Sequence, residues 1–403
     1  SLTIRKSITG PNWNRRVAKA TLASLDGLEA PSLRELDVHA LELTSLDALR
    51  LSPHLQRVNV ALCRALQNIR GLENCKELTE LKLTGCETLV SLEGLEATTK
   101  LTELILTQLP ALRDLSPIIG NQGLRMLSIA GCDVPSIEPL SRLGELEALH
   151  ITGCQATSLA PLAHLRGLQK PESYEGAVRG KLQTLKLTLP DTWSLSGCKK
   201  LTDLSGLSAI ATSYTTLKLH NCTALKHLDT LPELKDVLHL DLTDCSSLQD
   251  LAGLAGLPNL TTLVLDKCTA LTSLASLPVL QGLKSIHLDG CPALLDVQRL
   301  GDLPAIQVVS MVETRTSHLP ESWAVSKLRQ LVLHGSTSLK GLEGLEGLEE
   351  IGELNLHNSQ ALDNLDALAD VGVLGQAWIT MCPALRSIQG LSGHERVSLG
   401  ETT

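Results

Sequence analysis

The sequence of 403 residues is almost without aromatic side chains. It contains no Phe, two Tyr and four Trp. Compact globular cores normally depend on aromatic residues for much of their buried area. A chain without them must fill its core by using aliphatic residues repeatedly, which is what stacked repeats do. The composition therefore disfavours the two or three globular domains that the length alone would suggest.

Long apolar segments are also absent. No stretch approaches the roughly 18 uninterrupted apolar residues that indicate a transmembrane helix, and residues 1–13 contain no apolar signal core. The chain has 35 basic and 44 acidic residues, and its formal net charge of −9 opposes broad attraction to nucleic acids or anionic lipids. We therefore expect neither a membrane nor a nucleic acid as partner.

Motifs for catalysis are missing as well. The sequence has no phosphate-binding loop, dinucleotide fingerprint, nucleophile elbow or zinc-hydrolase motif. Its scattered Asp and Glu residues form no pair that the pattern forces together. We expect no enzymatic activity and no cofactor.

What the sequence does contain is a repeat. The string L-x-x-L-x-L-x-x-C recurs, for example over residues 78–86 and 260–268. Its second apolar position marks fifteen repeats, at 36, 58, 81, 104, 127, 149, 185, 217, 240, 263, 286, 309, 331, 354 and 377. Twelve of the fourteen intervals are 22 or 23 residues. Self-similarity at this period is typical of solenoids with one strand per repeat.

The pattern within each repeat predicts its structure. Alternation of Leu with other residues predicts a short strand whose leucines face one side, and neighbouring strands bury that side by stacking into a parallel sheet. The leucines after the Cys recur every three residues, as at Leu89, Leu92 and Leu95, which favours a 3₁₀ return. We predict an α/β repeat solenoid, a horseshoe with about 15 parallel strands on its concave side and a 3₁₀ or irregular convex side.

Segments of the return resemble a known family. Residues 136–146 and 158–168 read SIEPLSRLGEL and SLAPLAHLRGL, and they resemble the convex side of the short bacterial leucine-rich repeats of internalin type. The resemblance covers residues 21–391 and leaves a flank at 1–20 and a tail at 392–403. It implies the leucine-rich-repeat fold but no particular ligand, because fold does not determine function. Cys stands where the family usually has Asn, and a thiol is a weaker hydrogen-bonding group than a carboxamide.

The cysteines follow the repeat. Ten of the eleven lie at the position that ends the strand, and only Cys75 does not. A buried thiol there is a small apolar side chain. We expect reduced structural thiols rather than disulfides or metal ligands, and therefore a reducing, cytoplasmic location.

Two intervals, from 149 to 185 and from 185 to 217, break the regular spacing. They predict insertions near residues 169–180 and 189–196, which contain Tyr174 and Trp193. Insertions in solenoids often project from one face and shape the binding site, so we interpret both as candidate binding loops. Tolerated surface insertions are the alternative.

Residues that flank the strand leucines should face outward on the concave side, among them His150, Glu353 and Asn355. The candidate ligand-binding residues there are Lys186, Lys218, His220, His239, Asp241, Asp266, His287, Asp289, His334, His357 and Trp378. The histidines could be metal ligands, a pH-sensitive surface or merely tolerated outward-facing residues, and we interpret them as ordinary recognition residues. Parallel side chains on a sheet do not converge as zinc requires, so we predict no metal. Trp378 is a candidate binding hot spot, with capping of the last repeat as the alternative.

These observations favour a non-catalytic protein-recognition module, monomeric by itself, whose protein partner the sequence does not identify. The Ser1 start, the missing signal core and the thiols fit the ligand-sensing domain of a larger cytoplasmic protein, and the resemblance implies a bacterial one. There are two alternatives. One is a secreted or injected adhesin or effector that binds a host or surface protein, and the other is a purely structural scaffold.

Overall fold

The computed structural model describes residues 2–5, 23–28, 30–165, 168, 192–210, 214–394 and 397–399. The chain forms two compact units, Ser1–Pro190 and Asp191–Thr403. Each unit contains a parallel sheet in which strands consecutive in the chain are neighbours. This is the arrangement of leucine-rich repeats, and it confirms the predicted fold class.

Within the described residues, the sheets contain seven and ten strands. In the first unit the strands are β1 Leu2–Arg5, β2 Glu35–His39, β3 Arg57–Ala61, β4 Glu80–Thr84, β5 Glu103–Leu109, β6 Met126–Cys132 and β7 Ala148–Thr152. In the second unit they are β8 Thr192–Ser194, β9 Thr216–Lys218, β10 His239–Asp241, β11 Thr262–Val264, β12 Ser285–His287, β13 Val308–Ser310, β14 Lys327–Val332, β15 Glu350–Asn355, β16 Val373–Ile379 and β17 Val397–Leu399. The first and last strands lie in the segments predicted as flank and tail, and each pairs with its neighbouring repeat. The strand predicted around Leu185 lies outside the described residues.

Leucine alternation determines which side of each strand is buried. In β4, Leu81 and Leu83 are buried, whereas the other three residues remain partly exposed. The sheet register places Leu81 beside Val58 of β3 and Leu104 of β5. Each such side chain contributes roughly 1.5–3 kcal/mol through its burial, so the core is a stack of equivalent aliphatic layers.

Short 3₁₀ helices carry much of the return. They are Asp47–Leu51, Arg70–Leu72, Ser116–Ile118, Glu138–Arg142, Ala160–His164, Ser205–Ile210, Ala252–Gly256, Gln298–Asp302, Asp366–Asp370 and Gln389–Leu391. The described residues contain no α-helix, and no helix among them is long and apolar enough to span a membrane. Three residues per turn match the three-residue spacing of the leucines, which confirms the predicted return.

All eleven cysteine side chains are buried. At the end of the strand, the thiol reaches a backbone carbonyl of the preceding repeat: Cys245 Sγ lies 3.2 Å from Leu219 O, and Cys291 Sγ lies 3.2 Å from Leu265 O. Burial raises the pKa of both thiols to about 12, so they are protonated and donate at neutral pH. The residues at the same position in three later repeats are also buried hydroxyl donors: Thr314, Ser336 and Ser359. The position therefore selects a small buried donor, which bonds a carbonyl of the preceding repeat from Ser359 and a carbonyl of its own repeat from Thr314 and Ser336.

The prediction of an insertion at 189–196 is wrong for Trp193. The side chain lies in β8, pairs with Leu217 of β9 and is 1% exposed. The reason is visible in the sequence, because Trp193, Leu195 and Cys198 have the spacing of the repeat string with Trp in the second Leu position. An indole is apolar enough to take that core position.

Close packing between returns gives a testable consequence at Gly253. A Cβ there would lie 1.8 Å from the carbonyl oxygen of Leu228 in the preceding repeat. We expect Gly253→Ala to lower the free energy of unfolding by about 1–3 kcal/mol, because the backbone must move to admit the methyl group. Urea denaturation followed by circular dichroism measures the loss.

Gly282→Ala is the matched control. Its added Cβ would meet Leu260 O at 3.5 Å, an ordinary contact. The free energy of unfolding should change by no more than about 0.5 kcal/mol. Equal losses in the two variants would contradict the assignment of close backbone packing to Gly253.

Candidate recognition face

The outward face of the second unit consists of side chains of β9–β16 that point away from the leucine core, together with one residue that follows each strand. The register of the sheet arranges them in three rows that cross the strands. The first row is Thr216, His239, Thr262, Ser285, Val308, Gln330, Glu353 and Gln376. The second row is Lys218, Asp241, Val264, His287, Ser310, Val332, Asn355 and Trp378. The third row is His220, Thr243, Asp266, Asp289, Val312, His334, His357 and Thr380.

Ten predicted ligand-binding residues lie in these rows: Lys218, His220, His239, Asp241, Asp266, His287, Asp289, His334, His357 and Trp378. Lys186 and Tyr174 lie outside the described residues, and Trp193 is a core residue. The structure thus brings the ten onto one surface. Their role in binding stays a prediction.

Two aspartates near the centre of the outward face accept hydrogen bonds from backbone amides. Asp266 Oδ1 accepts a hydrogen bond from Asp289 N at 2.9 Å. Asp289 Oδ1 accepts from Ser310 Oγ at 2.6 Å and from Val312 N at 2.9 Å. Burial raises the pKa of Asp266 above its usual value, although the hydrogen bond from the Asp289 backbone amide opposes the shift. These side chains satisfy amides at the strand ends and also place negative charge on the face.

The outward face carries negative but no positive formal charge from β11 to β16. From β11 to β16 the three rows, whose residues all belong to the described part of the chain, contain Asp266, Asp289 and Glu353 but no Lys or Arg. The lysine of the rows, Lys218, lies on β9. A partner with positive charge is therefore favoured over this stretch.

The histidines of the face do not gather into a metal site. His287 Nε2 lies 2.9 Å from Ser285 Oγ, and His220 Nε2 lies 3.8 Å from Asp244 Oδ2. Within the described ranges there is no group of three or more His, Cys, Asp or Glu placed to hold a metal ion. The contacts found are those of polar surface residues.

A shallow pocket of about 330 Å³ lies across β14–β16. It is lined by Gln330, Leu331, Val332, His334, Glu353, Asn355, His357, Trp378 and Thr380. The rings of His334 and His357 are neighbours, with centroids 4.7 Å apart, and His357 Nδ1 is hydrogen-bonded to the hydroxyl of Thr380. Trp378 is half-buried and pairs with Asn355 across the strands. The pocket combines an aromatic surface with a carboxylate and amide groups.

The candidate set from the sequence omitted four polar residues of this pocket: Gln330, Glu353, Asn355 and Thr380. Strand alternation places Glu353 and Asn355 on the outward side, as predicted, but it offers no reason to select them as binding residues. Their convergence with Trp378 depends on the register of three successive repeats, which a single repeat does not show.

The equivalent positions at the end of the first unit are covered. The outward side chains Ile105, Met126, Ser128 and Ala148 are buried. His150, which the strand pattern predicted to be exposed, is 8% exposed, and burial lowers its pKa to about 4. That prediction is wrong for His150, and β5–β7 present little open surface for recognition.

Comparison with known proteins finds similarity at the level of solved structures. No protein-family model matches the chain, and no curated protein matches it. Internalin InlF of Listeria monocytogenes is 17% identical, with 92% of this chain and 87% of that chain covered and a TM-score of 0.41. The functional domain of InlJ from the same organism, which includes a cysteine ladder, is 16% identical, with coverages of 89% and 62% and a TM-score of 0.45. A leucine-rich-repeat protein of Leptospira interrogans is 17% identical, with coverages of 81% and 84% and a TM-score of 0.42. The fold assignment rests on this chain's own strand register and repeat spacing.

Proposed function

We propose that this leucine-rich-repeat protein is a non-catalytic protein-recognition module whose partner binds the outward face of the second unit. The observation that carries the proposal is the set of three rows on β9–β16. Polar, titratable and aromatic side chains continue across eight strands there. The aliphatic core lies on the other side of the same strands, so most of these side chains are spared from core packing and can contact a partner.

The dimensions of the face favour a macromolecular partner. Strands of a sheet lie about 4.8 Å apart, so the seven steps from β9 to β16 span about 34 Å. Sites for small molecules are concave and enclose most of the ligand, whereas the pocket on this face is shallow and occupies only its last three strands. A long, regular surface suits the broad contact that protein partners make.

Charge supports a protein rather than a nucleic acid. The acidic stretch from β11 to β16 would repel a phosphate backbone, and nucleic-acid binding depends on clustered Lys and Arg. We therefore propose a protein partner that presents basic groups to this part of the face.

We further propose that the module is monomeric and serves as the ligand-sensing part of a larger cytoplasmic protein. Buried cysteine side chains with raised pKa values support this proposal, because thiols protonated in a packed core do not require an oxidising compartment. The alternative is a purely structural scaffold. A scaffold would tolerate substitutions across the outward face, and the experiment below distinguishes it from a recognition module.

The test compares affinity capture from a lysate of the source organism by the unmodified protein and by His287→Arg. His287 lies on β12 near the centre of the face, and Arg there adds bulk and positive charge. After identification by mass spectrometry, the partner's affinity is measured by calorimetry. We expect binding to weaken at least about tenfold, a loss of roughly 1.4 kcal/mol.

Val279→Arg is the matched control because Val279 is exposed, belongs to the same unit and lies outside the three rows. It should capture the partner normally, and circular dichroism should show that both variants fold. Equal capture by both variants would move the site away from the outward face. Absence of any partner would support the scaffold.

A further inference from the structure

The pocket across β14–β16 has the chemistry of a site for one kind of side chain. Trp378 supplies an aromatic surface, Glu353 supplies a carboxylate, and Gln330 supplies an amide group. Asn355 also lines the pocket, and its Oδ1 accepts a hydrogen bond from the backbone amide of His357. No Lys or Arg is among its lining residues. An anionic group would meet a carboxylate without a compensating cation, so the pocket disfavours anions.

Building on the proposed function, we propose that this pocket binds an arginine side chain of the protein partner. The guanidinium group lies against the indole of Trp378 and forms an ion pair with Glu353. Cations are attracted to aromatic faces, most strongly to that of Trp, and a guanidinium donates to a carboxylate in a planar, two-point geometry. Its weaker hydration and planar shape make Arg a better occupant than Lys.

A carboxylate elsewhere on the outward face offers a second contact for a basic group of the same partner. Asp289 follows β12, and four strand spacings of about 4.8 Å separate β12 from β16, or about 19 Å. The carboxylate of Asp289 is therefore placed to meet a second basic group of the same partner. The partner surface carries arginine at one end and a further positive charge about 19 Å away.

The direct test uses a small probe, N-acetyl-arginine amide, with the whole protein. Binding is followed by the indole signals in ¹H–¹⁵N spectra, with the Trp378 signal assigned from Trp378→Leu. We expect saturable, weak binding that shifts the Trp378 signal. N-acetyl-lysine amide should bind more weakly. N-acetyl-citrulline amide, which has a similar shape but no charge, should not bind detectably.

Two variants test the two contacts separately. Trp378→Leu should weaken binding of the arginine probe by about twofold to thirtyfold. Glu353→Gln, a change at an exposed carboxylate, should weaken it by at least about fivefold. Glu321→Gln is the control, because it removes the same charge from an exposed residue of the same unit that does not line the pocket. It should leave binding unchanged.

Three results would overturn the inference. They are equal binding of arginine and citrulline probes, an unchanged affinity in Glu353→Gln, or a Trp378 signal that responds to a neutral methyl glucoside but not to arginine. The last result would indicate a sugar-binding pocket. A fourth result separates the two proposals. If His287→Arg abolishes capture of a partner but the pocket shows no preference for arginine, this inference is overturned and the recognition function stands. Arginine binding with no partner captured would leave the arginine site standing and would overturn the recognition function.

Discussion

Replacing Trp193 with alanine is expected to lower the free energy of unfolding of the second unit by about 3–5 kcal/mol. The indole is 1% exposed in β8. It stacks on the buried ring of Tyr214, with centroids 6.3 Å apart and an interplanar angle of 28°. Alanine removes this apolar area and leaves a cavity that close-packed neighbours fill only in part.

The loss should be local as well as large. Each repeat of a solenoid contacts only its neighbours, so hydrogen exchange should show lower protection in β9 and β10 and little change in β15 and β16. Urea denaturation followed by circular dichroism measures the total. Val279→Ala, at an exposed site, should change the free energy of unfolding by no more than about 0.5 kcal/mol. A similarly small effect of Trp193→Ala, with unchanged protection in β9, would restore the interpretation of Trp193 as a surface-loop residue.

A second large effect is expected when the pH is lowered, and it comes from His150. In the unfolded chain its pKa is about 6.5, whereas burial lowers the pKa in the folded protein to about 4. Between these values the unfolded state binds a proton that the folded state does not, so stability falls as the pH falls from 6.5 towards 4. The full difference corresponds to roughly 3 kcal/mol.

His150→Gln isolates this contribution. Gln keeps a polar group within reach of Thr152, whose hydroxyl lies 3.4 Å from His150 Nε2, but it does not titrate. Urea denaturation at pH 7.5 and pH 5.0 should show that the unmodified protein loses about 2 kcal/mol more than the variant. In NMR titrations the His150 ring should remain neutral at pH 5. The same pH dependence in both proteins, or a ring that titrates near pH 6.5, would contradict the burial of His150.

Most strands could be predicted because each repeat contains its own signal. At Leu81 and Leu263 the alternation of leucines occupies a few consecutive residues, and a neighbour of the same pattern follows 23 residues later in both cases. Trp193 was missed because it occupies a position that is aliphatic in the other repeats, although a large aromatic side chain can also fill it. The position of Cys198, five residues after Trp193 as Cys222 is after Leu217, is the signal that identifies β8.

The sequence predicted which residues lie on the outward side of the strands, but it did not predict whether those residues are exposed or what they contact. Alternation correctly placed His287 and Trp378 on the side opposite the leucines. Alternation also predicted that His150 is exposed, but His150 is buried. The prediction is wrong because exposure depends on what packs over a strand. The pairing of Asn355 with Trp378, and with it the pocket, depends on the register between repeats.

The sequence by itself determined the repeat, the parallel strands, the 3₁₀ return and the cysteine position, because these follow from side-chain periodicity over fewer than 25 residues. Only the tertiary structure decided that Trp193 belongs to the core, that His150 is covered, and that Glu353 and Trp378 share one pocket. Those outcomes depend on contacts between residues of different repeats. Burial and electrostatic environment arise from such contacts, and no single repeat contains them.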